Sequence, residues 1–220
     1  GWDTDRGATG DQGARRPKEY NDLKTGRDHR VASPRERTPR SIGDEGTPLL
    51  FGYGLKVGIK LLSRAKLRYA LPYLIRPVNY WREVEYRLVL DHGSFRAGDR
   101  ILDVGSPKLL SLYLAKSVGA QVHATDVDDY FIAKHATVRA LEGLGEDRLH
   151  LGVEDGRHLR YDDGFFTKVY SISVIEHIPD DGDTLCVREM TRVLAPGGLC
   201  LITVPCWPTS RIEYLADKKV

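Results

Sequence analysis

Arg100-Ile-Leu-Asp-Val-Gly-Ser-Pro-Lys108 is the stretch that decides the fold of this chain. Its apolar residues predict a short buried strand at residues 101–104, which breaks at Gly105 into the start of a helix. Ser106-Pro107 suits the N-cap and first turn of that helix, because proline lacks an N–H that would have no partner there. Free N–H groups at a helix start favour an anionic group, whereas Asp103, at the mouth of the same crevice, favours a cationic one. The stretch therefore predicts a ligand that carries both charges.

Strands and helices alternate from residue 98 onward, which predicts a parallel sheet with right-handed crossovers. The predicted strands cover residues 101–104, 121–125, 150–153, 168–173 and 199–204. Helices are predicted up to Gly119, over about 130–144 and over about 184–194, and a Pro-Gly-Gly turn at 196–198 precedes the last strand. The predicted fold class is α/β, a doubly wound and mostly parallel sheet preceded by N-terminal helices.

Charge divides the 220 residues into three predicted parts. Residues 1–48 carry ten basic and nine acidic residues without hydrophobic periodicity, which predicts a disordered or loosely attached tail. Residues 49–92 are predicted to be a basic helical segment, since residues 51–90 carry eight basic and two acidic residues. Residues 93–220 are the predicted core. The three cysteines lack the spacing of a zinc site, which favours a reducing compartment. No signal peptide is visible, and no apolar run reaches the ~18 residues that a membrane span needs. Together these features favour a cytoplasmic location.

Residues 55–70 predict a basic amphipathic helix that ends near Pro72. Its basic residues recur at four-residue spacing, at Lys56, Lys60, Arg64 and Arg68. Three interpretations are open: a helix packed on the domain with its basic face in solvent, peripheral contact with an anionic membrane, and contact with nucleic acid, which is the least favoured. A second helix is predicted from Asn79, its N-cap, to Asp91.

Acidic residues follow the predicted strands at the edge where such a sheet binds ligands. Asp103 ends the first strand, Asp126 ends the second, and Asp155 and Glu176 follow the third and fourth. A dinucleotide fingerprint would need later glycines that residues 105–110 lack, and Asp103 would repel a pyrophosphate. S-adenosylmethionine fits better, with its carboxylate at the helix start, its ammonium at Asp103, its ribose at Asp126 and its adenine at Asp155.

Five motifs resemble, in order and spacing, those of the class I S-adenosylmethionine-dependent methyltransferases, over about residues 98–205. They are Ile101-Leu-Asp-Val-Gly105, Ala124-Thr-Asp126, Glu154-Asp-Gly156, Val174-Ile-Glu-His-Ile178 and Arg192-Val-Leu-Ala-Pro-Gly-Gly-Leu199. The resemblance implies a Rossmann-like core in which Asp103 and Gly105 hold the methionyl part of the cofactor, Asp126 the ribose and Asp155 the adenine. The residues that we expect to bind the cofactor are Asp103, Gly105, Ser106, Pro107, Asp126, Val127, Asp155, Gly156, Ser173 and Glu176.

Two features depart from the family's pattern. Ser106-Pro107 replaces the usual glycine-rich loop. The family's sheet usually continues with two further strands, whereas sixteen residues, 205–220, follow Val204. We therefore expect a core truncated after the fifth strand, whose exposed edge favours self-association.

The resemblance implies methyl transfer to an acceptor that the sequence does not identify. His177 is the candidate general base, because imidazole titrates near neutrality, and its alternative role is structural. Glu176 beside His177 lacks companion ligands, so no metal is expected. Aromatic side chains predict either packing or an apolar wall for a small or lipid-like acceptor, at Tyr80, Trp81, Trp207 and Tyr214.

Two rival functions remain open. The first is an S-adenosylmethionine-binding module with little activity of its own, dependent on a partner. The second is a nicotinamide-dependent short-chain reductase, since Tyr214 and Lys218 have the spacing that such enzymes use. The absence of a glycine-rich turn at residues 105–110 disfavours the reductase.

Overall fold

The computed structural model of the chain describes residues 49–206. Three helices come first: α1 Leu49–Ser63, α2 Leu67–Ile75 and α3 Tyr80–Gly93. The elements that follow are β1 Arg100–Val104, α4 Leu109–Tyr113, a π-helical turn Leu114–Val118, β2 Gln121–Asp126, α5 Asp129–Leu141, β3 Leu149–Val153, β4 Phe166–Ile172, a 3₁₀ turn Ile175–His177, α6 Gly182–Arg192 and β5 Leu194–Thr203. The predicted alternation of strands and helices is confirmed.

The five strands form one parallel sheet in the order β3-β2-β1-β4-β5. β1 is the central strand, and its Asp103 lies opposite Ala124 of β2 and Tyr170 of β4. The strand order reverses between β1 and β4. In such sheets ligands bind at this reversal, outside the carboxyl ends of the strands. The sheet therefore places the turn after β1 at the expected binding edge.

The core lies on both faces of the sheet. Alternate residues of β1 point to opposite faces. Ile101 belongs to a buried cluster with α1 to α5, whereas Leu102 belongs to a second cluster with Cys186 and Met190 of α6. Helices on both faces confirm the doubly wound α/β class.

β5 begins earlier than predicted and contains a bulge. Leu194 pairs with Phe166 and Leu199 pairs with Lys168, so five steps along β5 cover two steps along β4. Residues 195–198 therefore leave the ladder, and Gly197 has a φ of +76°. The predicted Pro-Gly-Gly turn is a bulge inside the strand.

One helix that ends near Pro72 was predicted over residues 55–70, but the structure has two helices there, and Pro72 lies inside the second of them. α1 ends because Ala65 adopts a left-handed φ of 55°. The Lys66 N–H then donates to the Leu61 carbonyl at 2.9 Å, which closes the helix end. The expected single amphipathic helix is therefore a helical hairpin.

α3 begins as predicted. The Asn79 side chain accepts the Arg82 N–H at 2.9 Å, which caps the helix. The helix ends at Gly93, two residues beyond the predicted end at Asp91. Its buried residues Tyr86 and Val89 join the larger core cluster, so the helix packs over the binding edge of the sheet.

Some predictions fall on residues outside the described range. They are the tail of residues 1–48 and the side chains of Trp207, Tyr214 and Lys218. Within residues 49–206, no helix combines the length and the apolar content that a membrane span requires.

Candidate active site

The turn after β1 holds Gly105 in a conformation that suits glycine. Gly105 has a φ of +69°, and a Cβ there would come within 2.7 Å of Val174 Cγ1. Its N–H donates to the Thr125 carbonyl at 2.9 Å. The turn is therefore tied to the end of β2 and lies against the loop after β4, with no room for a larger residue.

Ser106 does not cap α4, contrary to the sequence-based expectation. α4 begins at Leu109, with Lys108 in the N-cap position and no side-chain cap bond. Ser106 Oγ instead accepts the Ile172 N–H at 2.9 Å and is fully buried. The serine therefore links the turn to the carboxyl end of β4.

Lys108 is the charged group at the centre of this site. Its side chain is 2% exposed, and its Nζ donates to the carbonyls of Ser106 at 2.7 Å and Thr125 at 2.8 Å. The same nitrogen lies 3.8 Å from Asp103 Oδ1 and 3.6 Å from Asp126 Oδ2. An ammonium group of this chain therefore lies between the two carboxylates that were expected to hold the cofactor.

Asp103 is fully buried, and neighbouring residues already supply its hydrogen-bond donors. It accepts the Ser106 N–H at 3.0 Å and the Ser111 hydroxyl. Because that hydroxyl has one hydrogen, the Tyr170 hydroxyl, 2.7 Å from Ser111 Oγ, must donate to Ser111. Burial raises the pKa of Asp103 above its ordinary value, and Lys108 and the serine donors offset only part of this rise. Contact between Asp103 and the cofactor stays a prediction.

Asp126, at the end of β2, is the more accessible of the two carboxylates. Its side chain is 14% exposed, compared with complete burial for Asp103. Oδ1 accepts the Asp128 N–H at 3.1 Å, which orients the carboxylate. Asp126 can therefore still accept hydrogen bonds from hydroxyl groups of a ligand.

A cavity of about 300 Å³ lies at the carboxyl ends of β1 and β2. It brings together four of the predicted residues, Gly105, Ser106, Pro107 and Asp126. The remaining lining residues are Lys108 and Leu109 from the turn, with Pro72, Tyr73, Arg76, Pro77, Tyr86, Phe131, Lys134 and His135. Its volume lies at the lower end of the roughly 300–1,000 Å³ typical of small-molecule sites.

Cations dominate the charged lining of this cavity. Arg76, Lys108 and Lys134 line it, whereas Asp126 is the single carboxylate among its described lining residues. Basic side chains form charge-assisted hydrogen bonds with carboxylates and phosphates. The cavity therefore favours a ligand that has an anionic group and hydroxyl groups that can donate hydrogen bonds to Asp126.

His135 contributes a neutral imidazole to the cavity. Burial lowers the pKa of His135 to about 4; the positive charges of Lys108 and Lys134 contribute to this shift, and the hydrogen bond with the Phe131 carbonyl opposes it. Its Nδ1 lies 2.7 Å from the Phe131 carbonyl, so Nδ1 carries the hydrogen of the neutral ring. Nε2 is then an acceptor.

Asp155, the predicted adenine-binding residue, lies outside this cavity, as do the predicted cofactor-binding residues Gly156 and Val127. Asp155 is paired with Arg157, whose Nη2 lies 2.7 Å from Oδ2, and this guanidinium holds the pKa of Asp155 below its ordinary value. A Cβ on Gly156 would meet Cys186 Sγ and Val104 Cγ1 at 2.9 Å, so this glycine allows close packing of the loop. Val127 is 69% exposed. Adenine contact by this loop stays a prediction.

The predicted residues after β4 belong to a different group of contacts. Ser173 donates to Glu85 of α3, as does Thr203 Oγ1 at 2.9 Å, and Arg82 Nη1 lies 2.9 Å from Glu85 Oε2. His177 is 65% exposed in the 3₁₀ turn. Glu85 therefore joins α3 to the carboxyl ends of β4 and β5.

Glu176 lies in the same 3₁₀ turn as His177, and its Oε1 lies 3.7 Å from His177 Nε2. Neither residue lines the cavity. A cofactor contact of Ser173 or Glu176 and a catalytic role of His177 stay predictions.

Sequence reasoning missed three residues that the structure places in or beside the site. Lys108 closes the quoted stretch, but no pattern marks a lysine whose partners come from two strand ends. His135 lies on α5 and Glu85 lies on α3. Neither residue belongs to a sequence motif that would have marked it as part of the site. The one usable signal was basic Lys108 within a few residues of acidic Asp103.

Sequence comparison with known proteins gives three matches. The methyltransferase domain family matches residues 102–202. Methyltransferase GfsG of Streptomyces halstedii is 38% identical over 104 residues, which are 46% of this chain and 36% of that protein. A 27-O-demethylrifamycin SV methyltransferase of Amycolatopsis mediterranei is 30% identical over 104 residues, which are 47% of this chain and 37% of that protein.

The solved structure of the [4+2]-cyclase SpnF has 25% identity and a TM-score of 0.50, and the match covers 55% of this chain and 46% of that chain. The chain spans about a third of the length of the two curated relatives, 36% and 37%. The matched region begins within β1, ends one residue before the end of β5, and includes the turn that holds Gly105. Residues 102–202 of this chain are therefore similar to the methyltransferase domain family, and the two relatives that share this region are both named as methyltransferases.

Proposed function

We propose that this chain is a methyltransferase that uses S-adenosylmethionine and methylates a small or lipid-like acceptor. The observation that carries the proposal is the cavity, which unites the Gly105 turn and Asp126 with the helices before the sheet. The cofactor supplies an activated methyl group on a sulfonium centre. The protein has to bind this cofactor, exclude water and position the acceptor.

The cavity residues fit most parts of this cofactor. Asp126 is oriented by its bond with the Asp128 N–H and can accept the ribose hydroxyls. Arg76 and Lys134 can hold the carboxylate of the methionyl part. The ammonium fits less well, because Lys108 already lies beside Asp103 at 3.8 Å. Gly105 leaves room for the ligand to approach the backbone.

The acceptor would lie against the apolar and aromatic part of the lining. Tyr73, Tyr86 and Phe131 contribute rings to the cavity wall. Apolar and aromatic walls of this kind are typical of sites for small organic molecules. The name of one curated relative, a 27-O-demethylrifamycin SV methyltransferase, supports an organic acceptor.

His177 remains our candidate for proton removal from the acceptor. It is exposed, with its Nε2 3.7 Å from Glu176 Oε1, so it can exchange protons with solvent. Replacement of His177 by alanine should lower turnover and leave cofactor affinity unchanged. His158→Ala is the matched control, because His158 is also exposed and follows β3 instead of β4. Equal turnover in the two variants would reject the catalytic role.

A second candidate function is cofactor binding with little methyl transfer. The observation that favours it is the likeness to SpnF, a [4+2]-cyclase, because one fold can carry different chemistries. In this alternative the cavity binds S-adenosylmethionine and the acceptor reaction is absent or depends on a partner.

One experiment separates the two functions. The purified chain is incubated with S-adenosylmethionine labelled in its methyl group and with panels of small-molecule, lipid and macromolecular acceptors, while cofactor binding is measured in parallel. Labelled product from a small or lipid-like acceptor supports the proposal. Binding without product in every panel supports the binding module, and absence of binding rejects both.

A further inference from the structure

We infer that α2 and the turn before it form a surface that docks on an anionic lipid bilayer. The inference does not depend on the proposed methyl transfer, because it rests on the outer face of the N-terminal helices. Residues 49–82 contain seven basic residues and no acidic residue. A segment of this charge is attracted to a surface of anionic lipid head groups, and the attraction is worth about 1 kcal/mol per basic residue near the surface.

The outer face of α2 carries an apolar line. Leu67, Leu71 and Ile75 recur every four residues, so they lie on one side of the helix. Their exposed fractions are 54%, 43% and 77%, which is high for side chains of this size. The opposite side of α2 is buried through Ala70 and Tyr73. The line is therefore presented outward while the helix is held on the domain.

A basic line runs beside the apolar one. Arg68 follows Leu67 directly in sequence, about 100° further around the helix, and Arg76 is the C-cap residue directly after Ile75; both arginines are exposed. Arg64 and Lys66 are exposed in the turn before α2. An amphipathic helix with apolar and basic lines side by side lies in the interface of a bilayer, with its apolar side chains among the acyl chains.

A bilayer would cover the apolar line and neutralise the basic line of α2, whereas a nucleic acid or a second copy of this chain would match only one of them. A nucleic acid would match the basic residues and leave Leu71 and Ile75 uncovered. A second copy of this chain packed through α2 would bring two basic surfaces together, which costs free energy. Leu62, 48% exposed at the end of α1, extends the apolar surface across the turn to Leu67.

The position of α2 also bears on the cavity. Pro72 and Arg76 belong to the cavity lining, and they directly follow Leu71 and Ile75 in sequence. A bilayer that contacts the apolar line would therefore lie next to the cavity mouth. An amphiphilic molecule could then enter the cavity from the bilayer without crossing water.

The test compares two double variants that change the same residue types. Arg68→Gln/Leu71→Ser alters α2, and Leu185→Ser/Arg188→Gln alters α6 with the same three-residue spacing. The two leucines have nearly equal exposed fractions, 43% for Leu71 and 42% for Leu185. Thermal unfolding of both variants checks that the fold is kept.

Binding is measured by co-sedimentation with vesicles of phosphatidylcholine alone and of phosphatidylcholine mixed with phosphatidylglycerol. We expect the wild type to bind the mixed vesicles, less at high salt, and the α2 variant to bind them about tenfold or more weakly. The α6 variant should bind like the wild type. Failure of the wild type to bind, or equal losses in both variants, would overturn the inference. So would an α2 variant that changes only self-association or RNA binding.

Discussion

Replacement of Lys108 by methionine tests the arrangement at the centre of the site. Methionine has a similar length and no charge, so the substitution removes the ammonium that lies 3.8 Å from Asp103 and 3.6 Å from Asp126. It also leaves the Ser106 and Thr125 carbonyls without their lysine donor. Breaking a buried charge pair from one side costs about 3–5 kcal/mol of unfolding free energy, because the remaining charge has no partner.

The pH dependence identifies the remaining charge as that of Asp103. Burial raises the pKa of Asp103, and Lys108 lowers it, so the pKa should rise further in the variant. A carboxyl group whose pKa is higher in the folded state stabilises the fold fully below its ordinary pKa of 3.8, and this contribution is lost as pH rises through the folded-state pKa. The deficit of Lys108→Met relative to wild type should therefore grow from acidic to neutral pH.

The assay is urea unfolding of wild type and variants at several pH values. Lys116→Met is the matched control, since Lys116 is exposed and its Nζ donates to the Glu142 carbonyl at 2.7 Å. We expect a small effect for the control. Addition of Asp103→Asn to Lys108→Met should restore part of the stability, because it removes the unpaired charge. Equal effects of the two lysine variants, or a deficit that is independent of pH, would refute the reasoning.

Three further predictions concern single side chains. Gly105→Ala should lower the unfolding free energy more than Gly143→Ala. The two glycines have similar φ values, +69° and +67°, but a Cβ at position 105 would come within 2.7 Å of Val174 Cγ1, whereas a Cβ at position 143 would meet nothing within 4 Å. Unfolding curves that coincide for the two variants would contradict this. Glu85→Gln should cost about 1–3 kcal/mol of unfolding free energy, because three donors lose a charged acceptor; an unchanged urea midpoint would contradict it. Burial lowers the pKa of His123 to about 4, so wild-type stability should fall as pH drops from 6.5 toward 4, and His123→Phe should lose less over that range. Parallel pH profiles would exclude this contribution.

The order of the elements was predictable because it depends on local patterns. The apolar run before Gly105 forms β1, which is covered by helices on both faces of the sheet. Its residues Ile101, Leu102 and Val104 are accordingly 0–3% exposed. Asn79 caps α3 through its own side chain, three residues before the donor. Such features are fixed within a few residues, so the sequence indicates them directly.

The break between α1 and α2 was not predictable in the same way. It depends on a left-handed Ala65, and alanine has no preference for that conformation. Pro72 was expected to end a helix, but α2 is short and continues past it to Ile75. Tertiary packing of the hairpin on the domain outweighs the local preference.

The candidate site was predictable in its position and less so in its charges. Asp103 and Asp126 were placed correctly at strand ends, 23 positions apart in sequence, at the same edge of the sheet. The ammonium of Lys108 between them results from the turn geometry, which no residue pattern specifies. Asp155 was expected to face a ligand, but Arg157 lies two residues later and pairs with it in this loop conformation.

Binding of S-adenosylmethionine to wild type and to Asp126→Asn, measured by calorimetry, tests the central claim most directly. Asparagine keeps an acceptor for the Asp128 N–H and removes the charge that would accept the ribose hydroxyls. Loss of hydrogen bonds to a charged group costs ~1.5–3 kcal/mol, so we expect affinity to fall by about one to two decades. Asp162→Asn, at an exposed aspartate before β4, is the control and should bind like the wild type. Saturable binding by the wild type with this loss in Asp126→Asn alone is the predicted result, and equal affinities in all three proteins would contradict the account.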